Sequence, residues 1–333
     1  SERRINGNHE VDIAGKTSFR VAEQFLNALG CLNCVGTWEL IDRDHGAGLP
    51  VQAAGNAVIL RSQFNSRHIA HTHNLEKNAF SRGQPAWGAE LANDLERVIA
   101  LHDPSTIAAV IVEPLAGSTG VLVPPVGYLE RLREITSRHG ILLIFDEVIT
   151  AFGRLGSATA AERFGVTPDI LTMAKGLSNA AVPCGGVAVR REVHDAVVNA
   201  AATGIELFHG YTYSGHPLAM AAVVAALDIY RREDLFKRAA EMAPVFEAAA
   251  HALKSAKHVV DVRNLGLVAG IELKSRDGAV GARVTEVFQK CFDQGLLVRY
   301  TGETLAVSPP VIISEAQIAQ MFERIGSVLA TVA

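Results

Sequence analysis

Short apolar runs alternate with amphipathic stretches from about Pro104 onward. Residues 106–113 read Thr-Ile-Ala-Ala-Val-Ile-Val-Glu, apolar at successive positions, which predicts a strand buried on both faces. After a loop holding Gly117, Gly120 and the pair Pro124-Pro125, Leu129, Leu132 and Ile135 recur at helical spacing. Gly140 ends that helix. Residues 141–145 predict a second strand that runs straight into Asp146-Glu147. Residues 170–174 predict a third leading to Lys175, and residues 185–189 a fourth. This rhythm predicts an α/β fold with a mostly parallel central sheet flanked by helices. Ligands of such sheets bind just beyond the carboxyl ends of the strands, where Asp146 and Lys175 stand.

After Pro217 the texture changes. Residues 218–232 predict a long Ala-rich helix, and a second helical stretch runs to about Lys254. Short strands are expected around 259–262, 267–273 and 296–300, with a closing helix over 315–328, which together describe a smaller α+β domain. The expected organisation is an atypical, incomplete N-terminal segment (1–65), a large catalytic domain (66–220) and a small C-terminal α+β domain (221–333). The first 65 residues show no clear alternation, and no internal repeat or low-complexity linker stands out.

Composition narrows the class. With 333 residues, 49% of them hydrophobic and 20% charged, the chain is neither disordered nor fibrous. No window reaches the roughly 18 uninterrupted apolar residues of a membrane span. The net charge of −4 gives no global positive field for nucleic acid or anionic lipid. The polar start lacks the apolar core of a secretory signal, and Cys31, Cys34, Cys184 and Cys291 are too scattered for a disulfide framework. A cytoplasmic globular protein is expected.

Asp146 follows five apolar residues, so its carboxylate should lie at the mouth of a dry sheet and need a positive or hydrogen-bonding partner. A plain helix-capping acid is the alternative. Lys175 is either a snorkelling surface residue or a desolvated amine able to act as a nucleophile, and Gly176 would allow close backbone approach to a ligand. Arg299, among apolar neighbours, offers a fork for a carboxylate or is an exposed strand residue. Residues 208–217, ahead of a helix, could hold a phosphate or be a plain loop. Three other motifs carry less. Gly15-Lys16-Thr17 lacks the earlier glycine of a phosphate loop, Cys31 and Cys34 have no second pair, and His68, His71 and His73 lack a carboxylate at metal-ligand spacing. No metal is expected.

The stretches Ile144-Phe-Asp-Glu-Val-Ile-Thr-Ala-Phe-Gly-Arg154 and Ala174-Lys-Gly-Leu-Ser-Asn-Ala-Ala-Val-Pro-Cys-Gly-Gly186 closely resemble the class III aminotransferases, pyridoxal-phosphate enzymes of fold type I. Three further stretches resemble the ω-amino acid:pyruvate (β-alanine:pyruvate) branch. They are Arg82-Gly-Gln-Pro85, Glu113-Pro-Leu-Ala-Gly-Ser-Thr-Gly-Val-Leu-Val-Pro-Pro125 and Phe208-His-Gly-Tyr-Thr-Tyr-Ser-Gly-His-Pro217. The likeness runs from about His68 to the C-terminus.

The resemblance implies pyridoxal 5′-phosphate as cofactor. It makes Lys175 the Schiff-base lysine and proton shuttle of a ping-pong reaction, and Asp146 the partner of the pyridine nitrogen. Val148 would press on the ring, Glu113 would belong to the cofactor site, and Arg299 would receive the carboxylate of donor or acceptor. Thr212 would reach the phosphate of a neighbouring subunit's cofactor, so a homodimer or dimer of dimers with shared sites is implied.

In glutamate-using relatives an acid pairs with an arginine. Ser118 stands at the matching position, which implies a free Arg299 and pyruvate as acceptor, with β-alanine, another ω-amino acid or a primary amine as donor. Gly7-Asn8 faintly resembles the family's phosphate loop, and Asp44-His45-Gly46 has aspartate where a stacking aromatic belongs. A semialdehyde aminomutase and a catalytically inactive binding module are the alternatives.

Overall fold

The computed structural model describes residues 58–61, 66–200 and 212–333. Gly7, Asn8, Gly15-Lys16-Thr17, Cys31, Cys34, Asp44-His45-Gly46 and residues 208–211 lie outside them. The described residues open on β1 (Val58–Arg61) and β2 (Ser66–His68), then the short α1 (Leu75–Asn78) and α2 (Asp94–His102). There follow β3 (Ile107–Val112), α3 (Tyr128–Arg138), β4 (Leu142–Asp146), α4 (Ala160–Phe164), β5 (Ile170–Met173), β6 (Gly186–Val189) and α5 (Arg191–Ala200). The second half comprises α6 (Pro217–Arg232), α7 (Leu235–His251), β7 (Val259–Leu265), β8 (Val268–Leu273), α8 (Ala282–Asp293), β9 (Arg299–Thr301), β10 (Thr304–Val307) and α9 (Glu315–Thr331). No helix among the described residues is long and apolar enough to cross a membrane.

Two sheets organise these elements. The six-stranded sheet has the order β2-β1-β3-β4-β5-β6, and the four-stranded one β7-β8-β10-β9. Within the six-stranded sheet β3, β4 and β5 pair in parallel, while β1 and β6 run antiparallel to this centre. The centre is parallel because each crossover carries a helix or a long loop, and its strands are buried on both faces as their unbroken apolar runs require. Val110, Val112, Leu143 and Phe145 pack on one face against Leu95, Val98 and Ile99 of α2 and Leu129, Leu132 and Ile135 of α3. Ala108, Ala109, Ile144 and Ile170 form the opposite face.

The second sheet has its own core. Ile271 and Leu273 of β8, Leu305 and Val307 of β10, and Ile318, Phe322, Ile325 and Leu329 of α9 close around Phe246. The α9 start carries a reciprocal cap in which Ser314 and Gln317 each accept from the other's backbone N–H. Several elements lie outside the expectations from sequence, among them β1, β2, α1, α2 and α4 as well as α5, α8 and β10. α5 and α8 are amphipathic helices, the latter burying Val284, Val287 and Cys291 at i, i+3 and i+7. β10 is a four-residue strand paired on both sides, too short to announce itself by alternation.

The two sheets are tied at the β7–β8 turn. Arg154 donates to the carbonyls of Leu267 at 2.9 Å and Pro309 at 2.5 Å, and its own carbonyl accepts from Leu267 N at 2.9 Å. Gly266 sits there at φ +57, and a Cβ on it would fall 2.5 Å from the Arg154 carbonyl.

Candidate active site

Strand register brings the chemistry together. Val112 lies opposite Phe145, so Glu113 leaves β3 beside Asp146 at the end of β4, and Asp146 lies opposite Thr172 of β5. Lys175 follows just past the end of β5. These are neighbouring carboxyl ends of parallel strands.

Asp146 Oδ1 accepts from Val148 N at 3.1 Å and Thr172 Oγ1 at 3.3 Å. Its Oδ2 has no donor among the described residues. Burial pushes the Asp146 carboxyl above its ordinary range, while those two hydrogen bonds and the Lys175 ammonium pull it back. Glu113 accepts from Gly117 N at 3.1 Å. Burial first, and the Asp146 charge second, raise its pKa to about 7 against the pull of Gly117, Lys175 and Arg299. Lys175 is lowered by burial and by Arg299, and held up by Asp146 and Glu113. The two acids and the exposed Lys175 therefore influence one another at the strand ends, and the exposed Arg299 guanidinium acts electrostatically on Glu113 and Lys175.

The backbone here is strained. Lys175, Asn179 and Ala180 have φ of 43°, 50° and 59°, a region that costs non-glycine residues on the order of 1–3 kcal/mol each and persists where surroundings over-determine it. The determinants are visible. Tyr230 Oη of α6 donates to the Gly176 carbonyl at 2.7 Å, and the Tyr230 ring lies 6.1 Å from that of Phe152 in a stacked arrangement. A Cβ on Gly176 would meet Phe152 Cβ at 2.8 Å, so this glycine makes room for Phe152 and not, as its place in the sequence suggested, for a ligand. Glu147, fully buried, accepts from Ala160 N, Ala161 N and Thr150 Oγ1 and anchors the turn after Asp146 to the start of α4.

Glu147, Thr172, Tyr230 and Arg154 are missed by sequence reasoning, which joined the strand ends at Asp146 and Lys175 but not the residues that hold them in place. The adjacent acids Asp146-Glu147 held a signal, since one must turn back into the protein when the other faces the mouth of the sheet.

Val148 is half-buried beside Asp146, and Arg299 opens β9 on the wall of a cavity of about 830 Å³ shared with Leu296, Ser308, Gln317 and Arg324. Arg299 forms no ion pair among the described residues. Thr212 is exposed in the turn ahead of α6 and makes no hydrogen bond to the cluster. His73 meets Glu272 at 3.1 Å and lies near Asp261, but Arg263 already pairs with both carboxylates, at 2.7 Å to Asp261 and 2.6 Å to Glu272. His68 and His71 are not part of that group.

Comparison with known proteins agrees with this geometry. The class-III aminotransferase family matches residues 45–329. An omega-aminotransferase of Caulobacter vibrioides is 54% identical over 98% of this chain and 75% of its own length. A beta-alanine–pyruvate aminotransferase of Pseudomonas aeruginosa is 49% identical over 83% of this chain and 62% of its own length. Among solved structures, the omega transaminase of Pseudomonas jessenii in complex with PMP superposes with a TM-score of 0.68 at 32% identity, over 72% of this chain and 54% of that one. An (S)-enantioselective omega-transaminase from Thermomicrobium roseum gives 0.68 at 35% identity, over 73% and 55%. The chain thus spans between about half and three quarters of the length of these relatives. With strand ends, charge cluster and these likenesses in accord, the chain belongs to the class-III aminotransferase family.

Proposed function

We propose that the chain carries the catalytic centre of a pyridoxal-phosphate aminotransferase that moves an amino group from an ω-amino acid or primary amine, such as β-alanine, to pyruvate. The observation that carries this reading is the placement of Lys175, exposed just past the end of β5, within electrostatic reach of the Asp146 carboxylate at the end of the adjacent β4. The donor set suits the cofactor. Asp146 keeps one oxygen without a donor among the described residues, and two half-buried acids side by side call for a cation between them.

Pyridoxal phosphate, when bound, supplies an aldehyde that condenses with amines and a ring that accepts the electron pair left at the substrate carbon. Asp146 would hold the proton on the ring nitrogen, with Val148 and Thr172 fixing its carboxylate, and Val148 would press on the ring face. The Lys175 amine, its proton affinity lowered by burial, would take a proton from the substrate carbon and return it one atom away. Its strained backbone and the Tyr230 hydrogen bond restrict where that amine can reach. Glu113 would close the cofactor site. Arg299, free of an ion pair among the described residues and with Ser118 where glutamate-using relatives have an acid, would bind the substrate carboxylate. The same family likeness supports a homodimer or dimer of dimers in which Thr212 reaches a neighbour's cofactor. An exposed apolar row on α6, with Met220, Val224 and Leu227 at i, i+4 and i+7, is the surface that would be covered.

The test is spectroscopic. Protein mixed with pyridoxal phosphate should develop the visible absorbance of a lysine-linked cofactor. The band should fade with β-alanine and return with pyruvate more readily than with 2-oxoglutarate. Lys175→Ala should fold and show no such band. A wild-type protein that never develops the band, or whose band ignores every amine, would favour the inactive binding module.

A further inference from the structure

Arg263, on β7 of the four-stranded sheet, is 6% exposed and uses its whole fork. Nε donates to the carbonyls of Gly120 at 3.0 Å and Val121 at 3.1 Å. Nη2 donates to Gly120 O at 2.6 Å and Thr304 Oγ1 at 3.1 Å, and Nη1 to Asp261 Oδ2 and Glu272 Oε2. The acids are themselves anchored, Asp261 by Phe80 N at 2.5 Å and Glu272 by His73. Burial would raise the Glu272 carboxyl, but His73 and Arg263 outweigh it and hold it at about 2.

Besides the two acids, this fork holds two segments, the turn that bonds Glu113 and the hairpin that carries Arg299. Gly120 and Val121 close the tight turn that begins at Gly117, whose carbonyl accepts from both their N–H groups and whose own N–H holds Glu113. The turn also leans on the segment after Asp146, since a Cβ on Gly117 would fall 2.6 Å from Ile149 Cδ1. Val121, β-branched, is held at φ 59° and Gly120 at φ 118°. Thr304 lies on β10 opposite Thr301, in the hairpin where Ala306 faces Arg299. The carbonyl of Gly120 also lies only 2.9 Å from where a Cβ on Gly270 of β8 would stand, so the turn sits directly on this sheet.

We propose that Arg263 is a positioning residue for substrate-carboxylate recognition, fixing the Arg299 hairpin against the Glu113–Val121 turn through the Thr304 hydroxyl and the Gly120 and Val121 carbonyls. The inference rests on the aminotransferase reading for what Arg299 binds. Lysine keeps the charge but has no planar fork, so it can satisfy the two acids and not the turn and hairpin together. Arg299 would then keep its side chain and lose its place.

Arg263→Lys and Thr304→Val are compared with wild type in two ways. In steady state with pyruvate or butanal as acceptor, KM for pyruvate should rise about tenfold in Arg263→Lys and about threefold in Thr304→Val, while kcat and the butanal KM stay within about twofold. In ligand-observed NMR on cofactor-free protein, the propionate dissociation constant should weaken in the same order. Equal losses with both acceptors, or an unchanged pyruvate KM in folded variants, overturn the proposal. If Arg263→Lys fails to fold, Thr304→Val decides by the same criteria. If wild type transfers no amine, the aminotransferase reading fails on its own, and the propionate constants alone decide the positioning role.

Discussion

At the scale of the residue, the informative group is Glu113. Its folded-state pKa of about 7 lies above the 4.5 of a free glutamate, because burial and the Asp146 charge both oppose ionisation. Folding therefore favours the protonated form. Ionisation costs nothing below about pH 4.5, costs progressively more up to about pH 7, and reaches its full value, on the order of 3 kcal/mol, above that. Cofactor-free Glu113→Gln, which keeps an acceptor for Gly117 N, should be more stable than wild type by that order at pH 8 and by less than about 1 kcal/mol at pH 5. Urea unfolding at the two pH values measures it, and an equal difference at both would refute this account of the carboxyl. The sequence made Asp146 and Lys175 legible, since each ends an apolar run. It could not reveal that Glu113 and Asp146 push on each other, because that follows from the β3–β4 register and not from any local pattern. Nor could it reveal that Tyr230, 54 positions beyond Gly176, holds the peptide next to the lysine.

At the scale of the element, hydrophobic period did most of the reading. The strands at 107–112, 142–146, 170–173 and 186–189 and the helices at 128–138, 217–232, 235–251 and 315–331 fall within a few residues of where apolar spacing puts them. The direction of β6 was not legible, since an apolar run looks the same whichever way it pairs. The β7–β8 turn shows what an element boundary can cost. Gly266 combines a left-handed φ with a Cβ position 2.5 Å from one backbone atom and 2.7 Å from another, neither of which can rotate away. Gly266→Ala should lose on the order of 2–4 kcal/mol. Denaturant titration should show an earlier midpoint with an unchanged slope. A stability within experimental error of wild type would mean that the Arg154 segment moves freely.

At the scale of the whole molecule, the surface of α6 and the joint between the sheets matter most. Val224 is 67% exposed beside Met220 and Leu227, an apolar row that a lone subunit would leave in water. Val224→Glu should shift sedimentation from a dimer or larger assembly towards the monomer while the far-ultraviolet spectrum stays unchanged. A wild type that already sediments as a monomer would remove the dimer proposal. The joint itself consists of two arginines reaching in opposite directions, the half-buried Arg154 from the turn after β4 towards the smaller sheet and the buried Arg263 from the smaller sheet back to the turn after β3. Pulling the sheets apart would cost Arg154 both of its carbonyl acceptors, Leu267 and Pro309, and Arg263 the carbonyls of Gly120 and Val121. The two halves thus share a single fate: heat or denaturant that loosens one takes the other with it, and a lesion far from the lysine reaches the catalytic space through the joint.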